Sequence, residues 1–370
     1  MKYYIIAGEA SGDLHGSNLI KALFTQDENA NIRCWGGDLM ENAGATLVKH
    51  YKELAFMGFV EVLANIPTIF KNIAFCKKDI EDFQPDVIVF IDYSGFNLRI
   101  AKWAKQQGFR TNYYISPQVW ASRSSRVEKI KRDVDMMNVI LPFEKEFYAK
   151  HNYEVNFVGH PLIDAIADRQ QVDVTTFRKE NNLGNKKIIA LLPGSRKQEI
   201  IKMLSVMLSV VDDFKDYQFV IAGAPSQDFS FYQQFIKTDN VQFINNKTYD
   251  LLSVSFAALV TSGTATLETA LFKVPQVVCY KGSAITYAIA KRIITLKFIS
   301  LVNLIMDREV VTELIQSDFN TKTLTKELTK ILDESHREKV FLEYYELEKI
   351  LGGKGASAES ARLIIEGITE

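Results

Sequence analysis

Short apolar runs alternate along this chain with longer amphipathic stretches. Val87-Ile88-Val89-Phe90-Ile91 and Ile188-Ile189-Ala190-Leu191-Leu192 are apolar at every position. Strands buried on both faces read this way, and such strands belong to parallel sheets covered by helices. In the first half the pattern predicts a strand at 3–8, a helix at 13–25 and a strand at 31–36. A stretch that reads as mobile follows, then a helix near 60–82 and strands at 86–92, 111–115, 138–141 and 155–159. The second half repeats the rhythm with strands at 187–192, 218–222, 241–244, 257–261 and 276–280, and helices at 197–212, 229–237 and 264–272.

The pattern is that of an α/β protein with two doubly wound domains in tandem. A chain of 370 residues is also too long for one ordinary core. The join is expected between Gly159 and Asp173, giving domains of 1–165 and 166–350. A helical tail at 355–370 is expected to cross back onto the first domain.

With 47% hydrophobic and 24% charged residues the composition is globular, and a net charge of −1 gives no basic excess for nucleic acid. Cys34, Cys76 and Cys279 are too scattered for disulfides or a structural zinc site, which fits a reducing compartment. The first residues run directly into a strand and do not read as a signal peptide. No uncharged run reaches membrane-spanning length, so a membrane role would be peripheral.

Four motifs sit where strands give way to helices, the edge at which parallel sheets bind ligands. Gly8-Glu9-Ala10-Ser11-Gly12-Asp13 makes a tight turn in which Ser11 or Asp13 can cap the helix; the plain alternative is a capped turn and nothing more. Asp92 ends the most apolar strand of the first half, where burial would raise its pKa toward that of a useful base; alternatively it caps the next helix. Pro193-Gly194-Ser195-Arg196 combines helix-opening amides with a forked cation, a diphosphate cradle or else a capped helix with an exposed arginine. Thr261-Ser262-Gly263-Thr264-Ala265-Thr266-Leu267-Glu268 ends a buried strand in small hydroxyl residues and offers amides for phosphate, with Glu268 one turn on to meet ribose hydroxyls or simply to offset the helix dipole. None is a dinucleotide or P-loop fingerprint.

Weaker features are Asp133-Val134-Asp135, which has D-x-D spacing but lies in a helical stretch, and His160, which either touches substrate or satisfies a backbone carbonyl at the domain join. The remaining histidines show no metal-ligand spacing, and no metal is expected. Leu54 to Val60 is apolar and is followed by Leu63 and Ile66 at helical spacing, so Phe56, Met57, Phe59, Val60, Leu63 and Ile66 form a candidate apolar flap for acyl chains or membrane. The basic stretches 120–132 and 285–298 are lesser candidates, and all three could equally be core or solvated helices.

The ordered set G-E-A-S-G-D (8–13), A-F-M-G-F-V-E-V-L (55–63), P-D-V-I-V-F-I-D (85–92), Y-I-S-P-Q-V-W-A (114–121), L-P-F-E-K-E-F-Y (141–148), F-V-G-H-P (157–161), L-L-P-G-S-R (191–196), S-G-T-A-T-L-E (262–268) and S-L-V-N-L-I (300–305) resembles the lipid-A-disaccharide synthase family over nearly the whole chain. The resemblance implies two Rossmann-like domains facing across a cleft, the GT-B fold. It implies a transferase that joins UDP-2,3-diacylglucosamine to 2,3-diacylglucosamine 1-phosphate without a metal or other cofactor. The enzyme would be cytoplasmic and peripheral on the inner face of the inner membrane; a homodimer is left open.

Asp92 then falls on the family's essential aspartate and Arg196 on its essential arginine, with Glu9 or His160 able to share the base role. Ser11, Gly12, His160, Gly194, Ser195, Ser262, Gly263, Thr264, Glu268, Tyr280, Asn303 and Arg308 fall on the substrate side. Asp-Tyr-Ser-Gly-Phe-Asn (92–97) replaces the commoner Asp-x-Pro-x-Phe-Asn, and Asp307 stands where a glycine is often seen. The rival readings are another UDP-sugar enzyme of the same fold, such as an epimerase or a soluble transferase, and a nucleotide-sugar-binding protein without turnover.

Overall fold

The computed structural model describes residues 1–54, 66–122, 124–224, 227–282 and 296–369. They divide into two compact units, Met1–Asp168 with Ile350–Glu370, and Arg169–Lys349.

The first unit is built on a seven-stranded sheet: β1 (Lys2–Ala7), β2 (Asn31–Gly36), β3 (Thr46–His50), β4 (Val87–Ile91), β5 (Thr111–Tyr114), β6 (Met136–Val139) and β7 (Asn156–Phe157). The strand order is β3-β2-β1-β4-β5-β6-β7. The second unit has six strands: β8 (Lys187–Leu192), β9 (Tyr217–Gly223), β10 (Val241–Asn245), β11 (Ala257–Thr261), β12 (Gln276–Tyr280) and β13 (Thr312–Ile315), ordered β10-β9-β8-β11-β12-β13. The described pairings are parallel in both sheets.

In each unit the chain winds outward from its first strand and then returns to pair on that strand's other side. The order therefore reverses between β1 and β4, and again between β8 and β11. Loops leave such a point in opposite directions and open a crevice at the carboxyl ends of the strands. All four motifs singled out above lie there.

The central strands are apolar throughout because both faces are covered. Along β8, Ile189 and Leu191 pack into one cluster with Ile200, Met203 and Leu328, while Ile188, Ala190 and Leu192 pack into another with Leu251 and Leu252. In the first unit Tyr4, Trp35, Ile88 and Phe90 meet Ile73, Cys76 and Ile80 of the helix Ile66–Phe83. The polar tips buried here are paired: Trp35 donates to the Tyr4 hydroxyl at 2.8 Å, which donates to Asp79 at 2.7 Å. The C-terminal helix Ala356–Thr369 packs along the helix Ala10–Gln26. Asp164 holds its start by accepting from the amides of Gly355 at 2.7 Å and Ser357 at 3.0 Å.

Several elements differ from the expectation. The first helix begins at Ala10, not 13, so the strand-to-helix turn is only Gly8-Glu9. The stretch that read as mobile contains a short helix, Asp38–Asn42, and the edge strand β3. The expected helix 197–212 stops at Met207 and tightens into a 3₁₀ turn, and the one at 229–237 stops at Gln233. β13 has no counterpart in the sequence reading. Among the described residues no helix is long and apolar enough to cross a membrane.

Candidate active site

In the first unit the turn after β1 is closed by contact. A Cβ on Gly8 would lie 2.2 Å from the Tyr93 ring, so only glycine lets the loop after β4 lie over this turn. Tyr93 in turn stacks on Phe96 at 5.5 Å. A Cβ on Gly12 would meet that of Ala7 at 3.0 Å, which sets how closely the first helix approaches the sheet. Neither Ser11 nor Asp13 caps this helix: the N-cap is Glu9, without a side-chain cap bond. Asp13 is buried and instead accepts from Gly37 at 2.7 Å, Met40 at 3.0 Å and Leu39 at 3.2 Å, capping the helix Asp38–Asn42. Glu9 and Ser11 remain exposed at the carboxyl edge.

Asp92 leaves β4 at the same edge, with Asp92 and Tyr93 both in left-handed conformation (φ 41° and 47°). Solvent reaches the carboxylate, yet the surrounding protein strips part of its hydration and Glu9 repels its charge. These two causes, in that order, raise its pKa to about 6. A base with that pKa is ionised at neutral pH and still holds a proton well, the compromise that proton abstraction needs. One result follows. kcat/KM should rise with pH through about 6 and then level, and Glu9→Gln, by removing the repelling charge, should move this acid limb to lower pH. A pH–rate profile of the two proteins checks it; an unmoved limb would mean that Glu9 does not act on the titrating group.

The second unit carries a cavity of about 310 Å³ at its own switch point. Leu192 to Ser195 and Glu199 line one side, and Thr261 to Ala265 and Glu268 the other. Gly194 has φ 97°, a conformation that favours glycine, and a Cβ there would meet the Glu199 carboxylate at 2.3 Å and displace that side chain. The helix Thr264–Leu271 starts from Gly263 with no side-chain cap, leaving its first-turn amides available to an anion. Arg196 is exposed at the head of the helix Lys197–Met207. Glu268 is largely enclosed; burial raises its pKa, opposed by a hydrogen bond of 2.8 Å from the Tyr249 hydroxyl. The cavity thus offers helix-start amides and a carboxylate, and the exposed Arg196 follows its lining residue Ser195 directly along the chain, a set suited to a nucleoside diphosphate. The Thr261 hydroxyl is buried at this cavity without a partner among the described residues. Thr261 opens the fourth motif, as the sequence reading had it, whereas Glu199 and Tyr249 were missed because they acquire meaning only from what they touch. A hollow of about 430 Å³ in the first unit, lined by Lys105, Arg110, Asp135 and Met136, sits at the amino ends of β5 and β6, the wrong edge for a doubly wound site.

Other expected site residues are engaged internally. The Ser262 hydroxyl donates to the Ile299 carbonyl at 2.7 Å. Asn303 is fully buried: its amide nitrogen donates to Val311 O at 2.8 Å and Glu313 at 2.9 Å, and its oxygen accepts from the amides of Val310 at 2.8 Å and Val311 at 3.0 Å. It therefore shapes the loop and presents no free group to a substrate. Asn303→Ala should lower the stability of the protein by on the order of 3 kcal/mol, since several buried groups lose their partners. Urea unfolding measures this, and an unchanged midpoint would return Asn303 to substrate contact.

Arg308 is held by Glu343 and Glu346 at 2.7 and 2.6 Å. Tyr280 is half-buried at the carboxyl end of β12. His160 is buried and caps the helix Pro161–Ala167 by accepting from Leu162 N at 3.2 Å; burial, with His15 beside it, lowers its pKa to about 3, so it stays neutral. Its ring thus serves a backbone amide, not the carbonyl expected, and is not an open substrate contact. Asp133 pairs with Arg132, and Asp135 with Lys105 and Thr111, so this D-x-D is consumed as well. Phe56, Met57, Phe59, Val60 and Leu63 lie outside the described residues; Ile66 opens the helix Ile66–Phe83. Arg123 and most of 285–298 lie outside them too.

A model of the lipid-A-disaccharide synthetase family matches residues 3–364. The chain belongs to this family. Lipid-A-disaccharide synthase of Geobacter metallireducens is 37% identical over 98% of this chain and 96% of its own length. That of Syntrophus aciditrophicus is 38% identical over 96% and 95%, and that of Coxiella burnetii (strain CbuG_Q212) 36% over 97% and 96%. Among solved structures, the UDP-GlcNAc 2-epimerase of Neisseria meningitidis, bound to UDP-GlcNAc, superposes with a TM-score of 0.67 at 15% identity, covering 100% of both chains. The glycotransferase of kitacinnamycin gives 0.68 at 13% identity over 99% of each chain. These two show the fold, a pair of Rossmann-like domains of the GT-B type.

The lipid-A-disaccharide synthases are glycosyltransferases, and this chain's two departures from their usual motifs have simple local causes. Asp307 takes φ 48° at the end of the helix Leu301–Met306, a conformation glycine adopts freely and aspartate tolerates. Ser94 takes the first position of the helix Ser94–Gln106, where proline is favoured but not required.

Proposed function

We propose that this chain joins UDP-2,3-diacylglucosamine to 2,3-diacylglucosamine 1-phosphate, giving the β-1,6-linked disaccharide 1-phosphate and UDP with inversion at the anomeric carbon. The observation that carries the reading is the chemistry of the two switch points: a raised-pKa carboxylate on the first unit, and on the second a cavity lined by a helix start and a carboxylate, with the exposed Arg196 next along the chain from its lining residue Ser195.

The second unit binds UDP, with the diphosphate on the amides of Gly263 to Ala265 and on Arg196, beside Gly194 and Ser195, and the ribose on Glu268. As the glycosidic bond to the diphosphate breaks, negative charge grows on the leaving oxygen, and donors already fixed there lower the barrier most. Asp92 takes the proton from the acceptor 6-hydroxyl as that oxygen attacks. Glu9 sets the affinity of Asp92 for the proton, and the cationic and amide donors make a metal unnecessary to this scheme.

Acylated substrates reside in a membrane, so the protein would work as a peripheral enzyme at the inner face of the inner membrane. The helix Ile66–Phe83 supports this, since Phe70 is 63% and Phe75 48% exposed beside Lys71 and Lys78.

Mass spectrometry after incubation with both acylated sugars tests the reading: disaccharide 1-phosphate and UDP should form in equal amounts. An epimerised donor in the absence of acceptor would identify an epimerase. Binding without any UDP release would identify a non-catalytic protein.

A further inference from the structure

Three non-glycine residues with left-handed backbone meet at the carboxyl ends of β4 and β5: Asp92, Tyr93 and Ile115, the last with φ 66°. The Asp92 amide donates to the Ile115 carbonyl at 3.3 Å, so the three form one patch. A β-branched residue such as isoleucine is a genuine outlier there, and such conformations persist only where the surroundings over-determine them.

The surroundings are two buried donors that converge on one atom. Asn97, fully buried in the first turn of the helix Ser94–Gln106, places its amide nitrogen 2.9 Å from the Asp92 carbonyl oxygen, 3.2 Å from that of Ile91 and 3.3 Å from that of Ile6. The Tyr113 hydroxyl on β5, beside Asn97, donates to the same Asp92 carbonyl. One side chain thus ties the ends of β1 and β4 together, and a second ties in β5. The carbonyl they grip belongs to the residue whose carboxylate is the base of the proposed reaction. Rotating the Asp92 backbone out of its left-handed well would break both bonds and swing the side chain away.

We propose that Asn97 and Tyr113 are positioning residues that hold Asp92 in its left-handed turn and so aim its carboxylate at the acceptor hydroxyl. The proposal rests on Asp92 being the base. Neither residue touches the reacting atoms; each acts through the Asp92 backbone, and a misplacement of about 1 Å at such a group is enough to cost on the order of 10²-fold in rate.

The test uses the full-length protein with Tyr113→Phe, which removes one donor and almost no volume, and Asn97→Ala, each made alone and together with Asp92→Asn. Expected for the single variants is a fall in kcat of about 10- to 100-fold, with KM for the UDP-sugar and affinity for UDP unchanged. In the Asp92→Asn background, neither substitution should lower the residual rate further, because the group being aimed is already gone. If Tyr113→Phe keeps wild-type kcat, or if the losses are as large without Asp92 as with it, the positioning role is overturned and the clamp serves stability alone. Should Asn97→Ala fail to fold, Tyr113→Phe decides the matter by itself. A fully active Asp92→Asn single variant removes the base assignment and the clamp together, whereas an inactive Asp92→Asn beside fully active clamp variants removes only the clamp.

Discussion

Asp92→Asn should transfer sugar about 10²–10⁴-fold more slowly than the wild type at pH 8, the range that a positioned base contributes. The substitution is chosen because it changes little else. Asparagine is nearly isosteric with aspartate and tolerates left-handed backbone, so the turn at φ 41° can persist. The grip on the main-chain carbonyl by Asn97 and Tyr113 does not involve the carboxylate. The variant should therefore melt with the wild type. Its residual rate should also lose the acid limb near pH 6, because the group that titrates there is gone. The sign matters: the raised pKa means that activity is lost as pH falls through about 6, and the asparagine protein has no such loss to show. Rate measurements between pH 5 and about 9 distinguish this from general damage, which would lower the curve and keep its shape.

Arg196→Ala should lower kcat by about 10²–10³-fold, the loss seen when one donor to a developing negative charge is removed. Arg196 is exposed, so its removal strands no buried partner and should leave stability unchanged. Arg196→Lys should recover only part of the rate. An ammonium supplies the charge but not the planar fork that meets two phosphate oxygens together. Full recovery by lysine would reduce the role of Arg196 to that of a point charge, and an unimpaired alanine variant would remove it from the site. Steady-state kinetics with both substrates, with a melting curve for each variant, measures these outcomes.

What could be read from the sequence, and what could not, divides along physical lines. The central strands β1, β4, β8 and β11 were legible because burial on both faces leaves an unbroken apolar run. Two of the four edge strands were not, although the edges β7 and β10 were expected: β3 is only partly buried and mixes Lys49 and His50 with Leu47 and Val48, and β13 carries Glu313. Partial exposure erases the signal that burial writes. Residues at the turns after β1, β4, β8 and β11 were found because strand-to-helix turns with glycine and hydroxyl residues are recognisable as such.

Individual side-chain tasks were harder. Asp13 sits in the first motif and yet caps a different helix 24 residues away. Asn303 lies in a motif that points to the donor and yet spends its whole amide on its own loop. Conversely, Tyr249 and Tyr113 matter for the hydrogen bonds they make to Glu268 and to the Asp92 carbonyl. Spacing along a chain records which residues can share a turn; it does not record which distant backbone group a side chain will reach.

Calorimetric titration with UDP of the wild type, Asp92→Asn and Arg196→Ala most directly tests the division of labour between an acid on the first unit and an anion cavity on the second. The account predicts that Asp92→Asn binds UDP as the wild type does while failing to transfer, and that Arg196→Ala binds it more weakly. Loss of UDP binding in Asp92→Asn, or equal affinity in all three proteins, would contradict it.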